Sequence, residues 1–159
     1  MAQFKSVVLS WLWRLIPAPL QWWIIWLLRP KLVVGVSGAL FNEAGEVLLL
    51  CHRFHSHHPW ALPGGLMERG ENLVECWQRE VREETNLIVV ADRLLLQRTS
   101  RLNIDFIVQG RIVSGEIALD STEILDAAFF PPDALPDGLN RNHRDAIRTA
   151  VEGRSLLAL

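Results

Sequence analysis

Residues 64–87 read GGLMERGENLVECWQREVREETNL, and few folds satisfy that stretch. A helix advances about 100° per residue, so Glu80, Glu83 and Glu84, at i, i+3 and i+4, share one face. Val74, Trp77, Val81 and Thr85 recur at i, i+3, i+7 and i+11 as a largely apolar stripe on the other side. The stripe predicts a buried face, and the acids predict a face turned to a cleft. Asn72 is placed to cap the helix start, with Glu75 three residues on as its capping-box partner. Asn86 supplies the left-handed residue that ends the helix.

Three carboxylates on one helical face repel one another unless a cation sits among them. A solvated face is the plain alternative, since Glu75 with Arg79 and Arg79 with Glu83 are spaced as i, i+4 pairs. That arrangement leaves Glu80 and Glu84 unpaired. Hard cations such as Mg²⁺ are held by one or two carboxylates together with substrate phosphates and water, and the spacing favours such a site over a solvated face.

The same residues resemble the signature of the Nudix family, G-x5-E-x7-R-E-U-x-E-E-x-G-U with U aliphatic. Gly65, Glu71, Arg79, Glu80, Val81, Glu83, Glu84 and Leu87 meet it, and Asn86 stands where the family has glycine. The resemblance implies a Nudix-type α/β/α sandwich with a mixed sheet. It also implies a Mg²⁺-dependent hydrolase, with Mn²⁺ as a substitute, that cleaves a diphosphate (pyrophosphate) linkage in a nucleoside diphosphate derivative. By this resemblance Glu80 and Glu84 ligate metal, Glu83 ligates directly or through water, the Gly64 carbonyl is a further ligand, and Glu71 is the outer acid. Arg79 would orient the neighbouring carboxylate.

A base to activate water comes either from the helix, where Glu80 is the candidate, or from a later loop, where Glu116, Asp120, Glu123 and Asp126 compete. The run STEILDAAFF before PPDALP resembles the family's acid loop and favours Glu123, against the reading that Glu123 and Asp126 are ordinary loop acids. Arg53, Trp60 and Gly65 are the substrate-side candidates. The competing functions are a non-catalytic, membrane-tethered module that binds a nucleotide, and a hydrolase of a lipid or prenyl diphosphate.

Ahead of the motif, KLVVGVSGALFNEAGEVLLLCHRF reads as two strands around a turn at Asn42 to Gly45. His52, His55, His57 and His58 then crowd the approach to the glycine turn, too irregularly spaced for a transition-metal site. After the helix, LIVV, RLLLQR, IDFIVQGRIV and ILDAAFF predict four strands. A final helix, NRNHRDAIRTAVEG, places Ala146, Ile147, Ala150 and Val151 on one side and closes at Gly153.

The first thirty residues differ from all of this, which divides the chain into residues 1–30, a Trp-rich apolar helical hairpin, and residues 31–159, the Nudix-like domain. Residues 1–31 hold Lys5, Arg14, Arg29 and Lys31 but no acid, and Glu43 is the first carboxylate. With four of 16 cations and none of 18 acids there, the remainder carries a formal charge of −6. Such a body lacks the basic stripe that tracks phosphates, so nucleic acid is not an expected partner.

Pro17 and Pro19 divide the segment into two helix candidates, with Phe4, Val7, Val8, Trp11, Leu12 and Leu15 striping the first and QWWIIWLL filling the second. Arg14, the prolines and Gln21 interrupt any span of the roughly 20 apolar residues that crossing a bilayer needs. Tryptophans beside unopposed cations suit an anionic membrane surface, while packing on the domain or in a homodimer is the alternative. Cys51 and Cys76 suggest reduced thiols, hence a cytoplasmic protein, peripheral on the inner face of the membrane if the hairpin binds lipid.

Overall fold

The computed structural model describes residues 13–55, 57–119 and 122–158. Phe4, Lys5, Val7, Val8, Trp11 and Leu12 of the first helix candidate, and the loop acid Asp120, lie outside the described residues. Contacts divide the chain into two units, Met1–Lys31 and Leu32–Leu159. The first contains helix α1, Ala18–Leu28, which starts after Pro17 with Pro19 in its first turn and buries none of its residues. No helix among the described residues is long and apolar enough to cross a membrane.

The second unit runs β1 (Val33–Leu40), β2 (Val47–His52), β3 (Trp60–Ala61), β4 (Gly64–Leu66), α2 (Leu73–Thr85), β5 (Ile88–Thr99), β6 (Asn103–Ser114), β7 (Ile124–Phe130), α3 (Arg141–Val151) and β8 (Leu157–Ala158). One sheet has the order β4-β1-β6-β5-β8, with β1 and β6 parallel and the other neighbours antiparallel. A second, antiparallel sheet has the order β3-β2-β7. Strands β1 and β2 flank the expected turn, where the Asn42 side chain accepts from the Ala44 and Glu46 amides. They then part into different sheets beyond a Phe41–Val47 bridge.

Both helices cover strands whose side chains alternate between them. Leu48 and Leu50 of β2, with Val36, Leu40 and Val108, pack in one cluster with Trp77 and Val81 of α2. Val47 and Leu49, with Ala39, Leu95 and Ile107, pack in another with Ala146, Ile147 and Ala150 of α3. Sheet residues one apart therefore serve opposite helices, which is why these strands are apolar throughout. The mixed α/β sandwich is the fold expected from the sequence.

Two sequence readings are corrected. LIVV and RLLLQR are one strand, β5, because register shifts between Ala91 and Arg93 and between Leu94 and Leu96 carry the ladder past Asp92. Three strands thus follow α2 before α3, and only the two-residue β8 comes later. Val151 is exposed, since α3 turns only Ala146, Ile147 and Ala150 inward. The closing residue is as expected: the Gly153 amide donates to the Ala150 carbonyl with φ of +70°.

Trp77, fully buried, sets how close α2 lies to the larger sheet. A Cβ on Gly38 would stand 2.3 Å from its indole, and one on Gly110 would stand 2.6 Å from it and 2.2 Å from the Val90 carbonyl oxygen. The ring fills the space those two glycines leave. A methyl at Gly110 has backbone to displace as well as the ring, so Gly110→Ala should destabilise the domain by about 1–3 kcal/mol, the usual cost of overpacking. Urea unfolding with an unchanged midpoint would contradict this packing.

Candidate active site

The acidic face of α2 is held by its own caps. Asn72 Oδ1 accepts from the Val74 and Glu75 amides at 2.9 and 3.0 Å, while Glu75 returns to the Asn72 amide at 2.9 Å. At the other end Asn86 adopts φ of 63°, the sole positive φ of a non-glycine among the described residues. Asparagine thus performs the left-handed turn in glycine's place. The Gln78 side chain also donates to the Val89 carbonyl at 2.8 Å, fixing the helix to β5.

Arg79 gathers three of the acids. Its Nε and Nη2 grip Glu71 at 2.6 and 3.0 Å, and its Nη1 reaches Glu80 at 2.9 Å and Glu83 at 3.3 Å. Nη2 also donates to the Leu66 carbonyl at 3.1 Å, joining helix to β4. The guanidinium hydrogen bonds hold the Glu71 carboxyl down at about 2, and the same bonds push Arg79 above its ordinary value. Such a planar fork fixes carboxylates in a way a point charge does not.

Glu84 stands apart from that network. The Gly64 amide donates to its carboxylate at 3.0 Å, but among the described residues no cation pairs with it. Burial pushes its carboxyl up to about 8, with the negative charges of Glu80, Glu123 and Glu83 adding to the rise. Gly64 occupies the tight approach of β4 to β1: with φ of +148°, any Cβ would meet the Val36 oxygen at 2.2 Å. Gly65 is pressed as closely, since a Cβ there would stand 2.3 Å from the Glu80 carboxylate.

Glu80 and Glu84 line a cleft of about 750 Å³ together with Gly64, Gly65 and Glu123. Of the loop acids considered that are among the described residues, Glu123 lines it, and Glu116 and Asp126 do not. Glu71 and Glu83 stand behind Arg79 and are not part of the lining, and Glu83 is exposed. Arg53 is absent from it too. Its guanidinium donates to the Thr122 carbonyl at 2.9 Å and its amide to the Glu123 carbonyl at 2.8 Å, so it fixes the loop that carries Glu123. Trp60 lines an adjoining cavity of about 350 Å³, edge-on to Phe130.

The sequence reading missed Arg98, Asp105, Asn140 and His143, all of which line the cleft. Asp105 carries a weak signal, a lone charge inside the apolar run IDFIV, and Gly35 on the paired strand leaves it room. His143 gives none, because it arrives from α3 to accept the Leu62 amide on Nδ1 at 3.0 Å. His52 and His55 stack at 4.6 Å on the cleft wall.

The donor set suits a hard divalent cation: the groups are carboxylates and a backbone carbonyl, and the negative charge around Glu84 is under-neutralised. In the described conformation Arg79 is the cation serving Glu71, Glu80 and Glu83, and among the described residues no three acidic, histidine or cysteine side chains converge as ligands. The residues fit the ion by chemistry, and Glu84, Glu80 and Gly64, which line the cleft together, are those that could hold it.

The NUDIX domain model matches residues 31–150. The chain belongs to that family. Among curated relatives it is 32% identical over 128 residues to the human 8-oxo-dGDP phosphatase NUDT18, covering 77% of this chain and 38% of that one. It is 30% identical over 121 residues to a putative 8-oxo-dGTP diphosphatase of Bacillus subtilis strain 168, covering 75% and 80%. A crystal structure of a NUDIX hydrolase from Nitrosomonas europaea superposes with a TM-score of 0.70 at 21% identity, over 80% of this chain and 76% of that one, and shares the fold. The Nudix chain thus spans less than half the length of the human relative.

Burial holds His143 down at about 4, with the charges of His52 and His55 contributing, against 6.5 for an ordinary histidine. The unfolded chain therefore takes up this proton first as pH falls. The contribution of this one group should be full above pH 6.5 and be lost towards pH 4, at no more than about 1.4 kcal/mol per pH unit, beside a like loss from His52, which burial also holds down at about 4, and an opposite trend from Glu84. His143→Gln, which keeps an acceptor for the Leu62 amide, should flatten that slope in chemical unfolding followed from pH 7 to 4. An identical slope in the variant would assign the loss elsewhere.

Proposed function

We infer that this Nudix domain is a Mg²⁺-dependent hydrolase that cleaves the diphosphate linkage of a nucleoside diphosphate derivative. The observation that supports it most is the convergence of Glu80 and Glu84 from α2, Gly64 from β4 and Glu123 from the later loop on one cleft. The names of the human and Bacillus relatives, an 8-oxo-dGDP phosphatase and a putative 8-oxo-dGTP diphosphatase, support a nucleotide substrate.

Glu84, Glu80 and the Gly64 carbonyl would hold Mg²⁺ or Mn²⁺, with Glu83 and Glu71 in the outer rank around Arg79. When bound, the metal neutralises the diphosphate oxygens and makes water a usable nucleophile near neutral pH. Arg79 keeps Glu80 at its post by dividing its donors among three carboxylates, so it is a positioning residue. Glu123, which lines the same cleft, would accept a proton from the attacking water. One P–O bond forms to that water's oxygen, and the bridging P–O bond breaks to release the second phosphate. Gly65 leaves room for the Glu80 carboxylate beside β4, and Arg53 acts by fixing the Glu123 loop.

The readout is product formation, followed by anion-exchange chromatography, from a panel of nucleoside di- and triphosphates, nucleotide sugars and prenyl diphosphates with and without Mg²⁺. Wild type should hydrolyse at least one nucleotide in the presence of the ion and none after chelation. Glu84→Gln and Glu80→Gln should each lower kcat by roughly 100-fold or more while the fold, judged by circular dichroism, is kept. Silence on every substrate would favour a binding module without catalysis. Turnover confined to prenyl diphosphates would replace the nucleotide by a lipid-like substrate.

A further inference from the structure

The surface of helix α1 is of a kind water does not favour. Trp22, Trp23, Trp26 and Leu28 are 71, 56, 60 and 76% exposed. Positions 22 and 26 share one face, 23 lies about 100° round from 22, and 28 about 140° beyond 23 on the far side, so the apolar surface encircles the helix. A helix at the surface of a globular domain keeps a polar stripe for solvent. This one has none.

Its single polar side chain is spent inward. Gln21 Nε2 donates to the carbonyls of Trp13 and Ile16, at 2.7 and 2.9 Å, just where Pro17 and Pro19 interrupt the helical ladder. Backbone carbonyls released by such a break need an internal partner when water is absent. In water they need no such help.

The charges complete the picture. Lys31 holds its ammonium 4.1 Å from the Trp26 ring centroid and donates to the Trp26 carbonyl at the end of the helix. Arg29 caps the same end, and no acid occurs before Glu43. Among the described residues Arg14, Arg29 and Lys31 pair with no carboxylate. Cations gathered at one end of an apolar, tryptophan-rich rod complement an anionic headgroup layer. A protein groove would call for no such uniform sign. At about 1.5 Å per residue the eleven residues reach about 16 Å, close to half of a hydrocarbon core of about 30 Å.

We propose that α1 embeds in a single leaflet of an anionic bilayer, with Arg29 and Lys31 among the lipid phosphates and the tryptophans at the headgroup boundary. The full chain is spun with vesicles of phosphatidylcholine alone and of phosphatidylcholine mixed with phosphatidylglycerol. It should sediment with the mixed vesicles and far less with the neutral ones. Replacing Arg29 and Lys31 by Gln should lower the partition coefficient about 25-fold, at about fivefold per cation. Trp22→Ser, Trp23→Ser and Trp26→Ser together should abolish sedimentation, while an unchanged thermal transition of the domain shows that it still folds.

Lipids brominated near the headgroup should quench tryptophan fluorescence more than lipids brominated at the chain end. Three results would overturn the proposal. One is a parent chain that stays in the supernatant with both vesicles. Another is sedimentation indifferent to lipid charge and to the tryptophans. The third is a dimer in analytical ultracentrifugation that the serine variant dissolves while neither form binds vesicles.

Discussion

The structure depends on the close approach of one helix to a sheet lined with glycine. On its inner side α2 seats Trp77 where Gly38 and Gly110 leave no side chain, and on its outer side Glu80 rests against Gly65. A helix held a methyl's width further away would keep its caps and its apolar stripe but lose the Gly64 amide that meets Glu84. The carboxylates are thus positioned by packing on the face opposite to them. Trp77 gives up something for this, since its indole Nε1 is buried with no hydrogen-bond partner among the described residues. Leaving a donor unmet costs about 1–3 kcal/mol, and the burial of the ring is what offsets it.

Electrostatics divide the acids into two ranks. Glu71, Glu80 and Glu83 share one guanidinium, whose five donors are enough to bind them at modest desolvation because the group is only partly buried. Glu84 has a single amide and three like charges around it. Negative charge left uncompensated beside a cleft is a demand for a cation or a proton. That asymmetry between the two ranks, more than the number of acids, is what supports placing the proposed ion at Glu84.

Much of this could be read from residues 64–87, because helix periodicity, caps and carboxylate spacing are local properties. Asn72, Glu75 and Asn86 sit where their chemistry placed them, and the Arg79–Glu83 pair follows from i, i+4 spacing, whereas Glu75 turns to the Asn72 amide and not to Arg79. What the sequence hid is non-local. Strands β1 and β2 look like one unit but enter different sheets, a choice made by partners β6 and β7 far along the chain. Asp92 looks like a strand break and is absorbed by register shifts in β5. Arg98, Asp105, Asn140 and His143 reach the cleft only after three separate elements have been brought together, and no local spacing announces that.

The central claim is that Glu80 and Glu84 on α2 bind a hard divalent cation. Titration of the full chain with Mn²⁺, followed by loss of the free-ion electron paramagnetic resonance signal, measures this without requiring a known substrate. The account predicts saturable uptake that Mg²⁺ competes away, weakened roughly 10-fold or more by Glu84→Gln and by Glu80→Gln. Free Mn²⁺ that stays undiminished with wild-type protein, with and without a non-hydrolysable nucleotide, would contradict it.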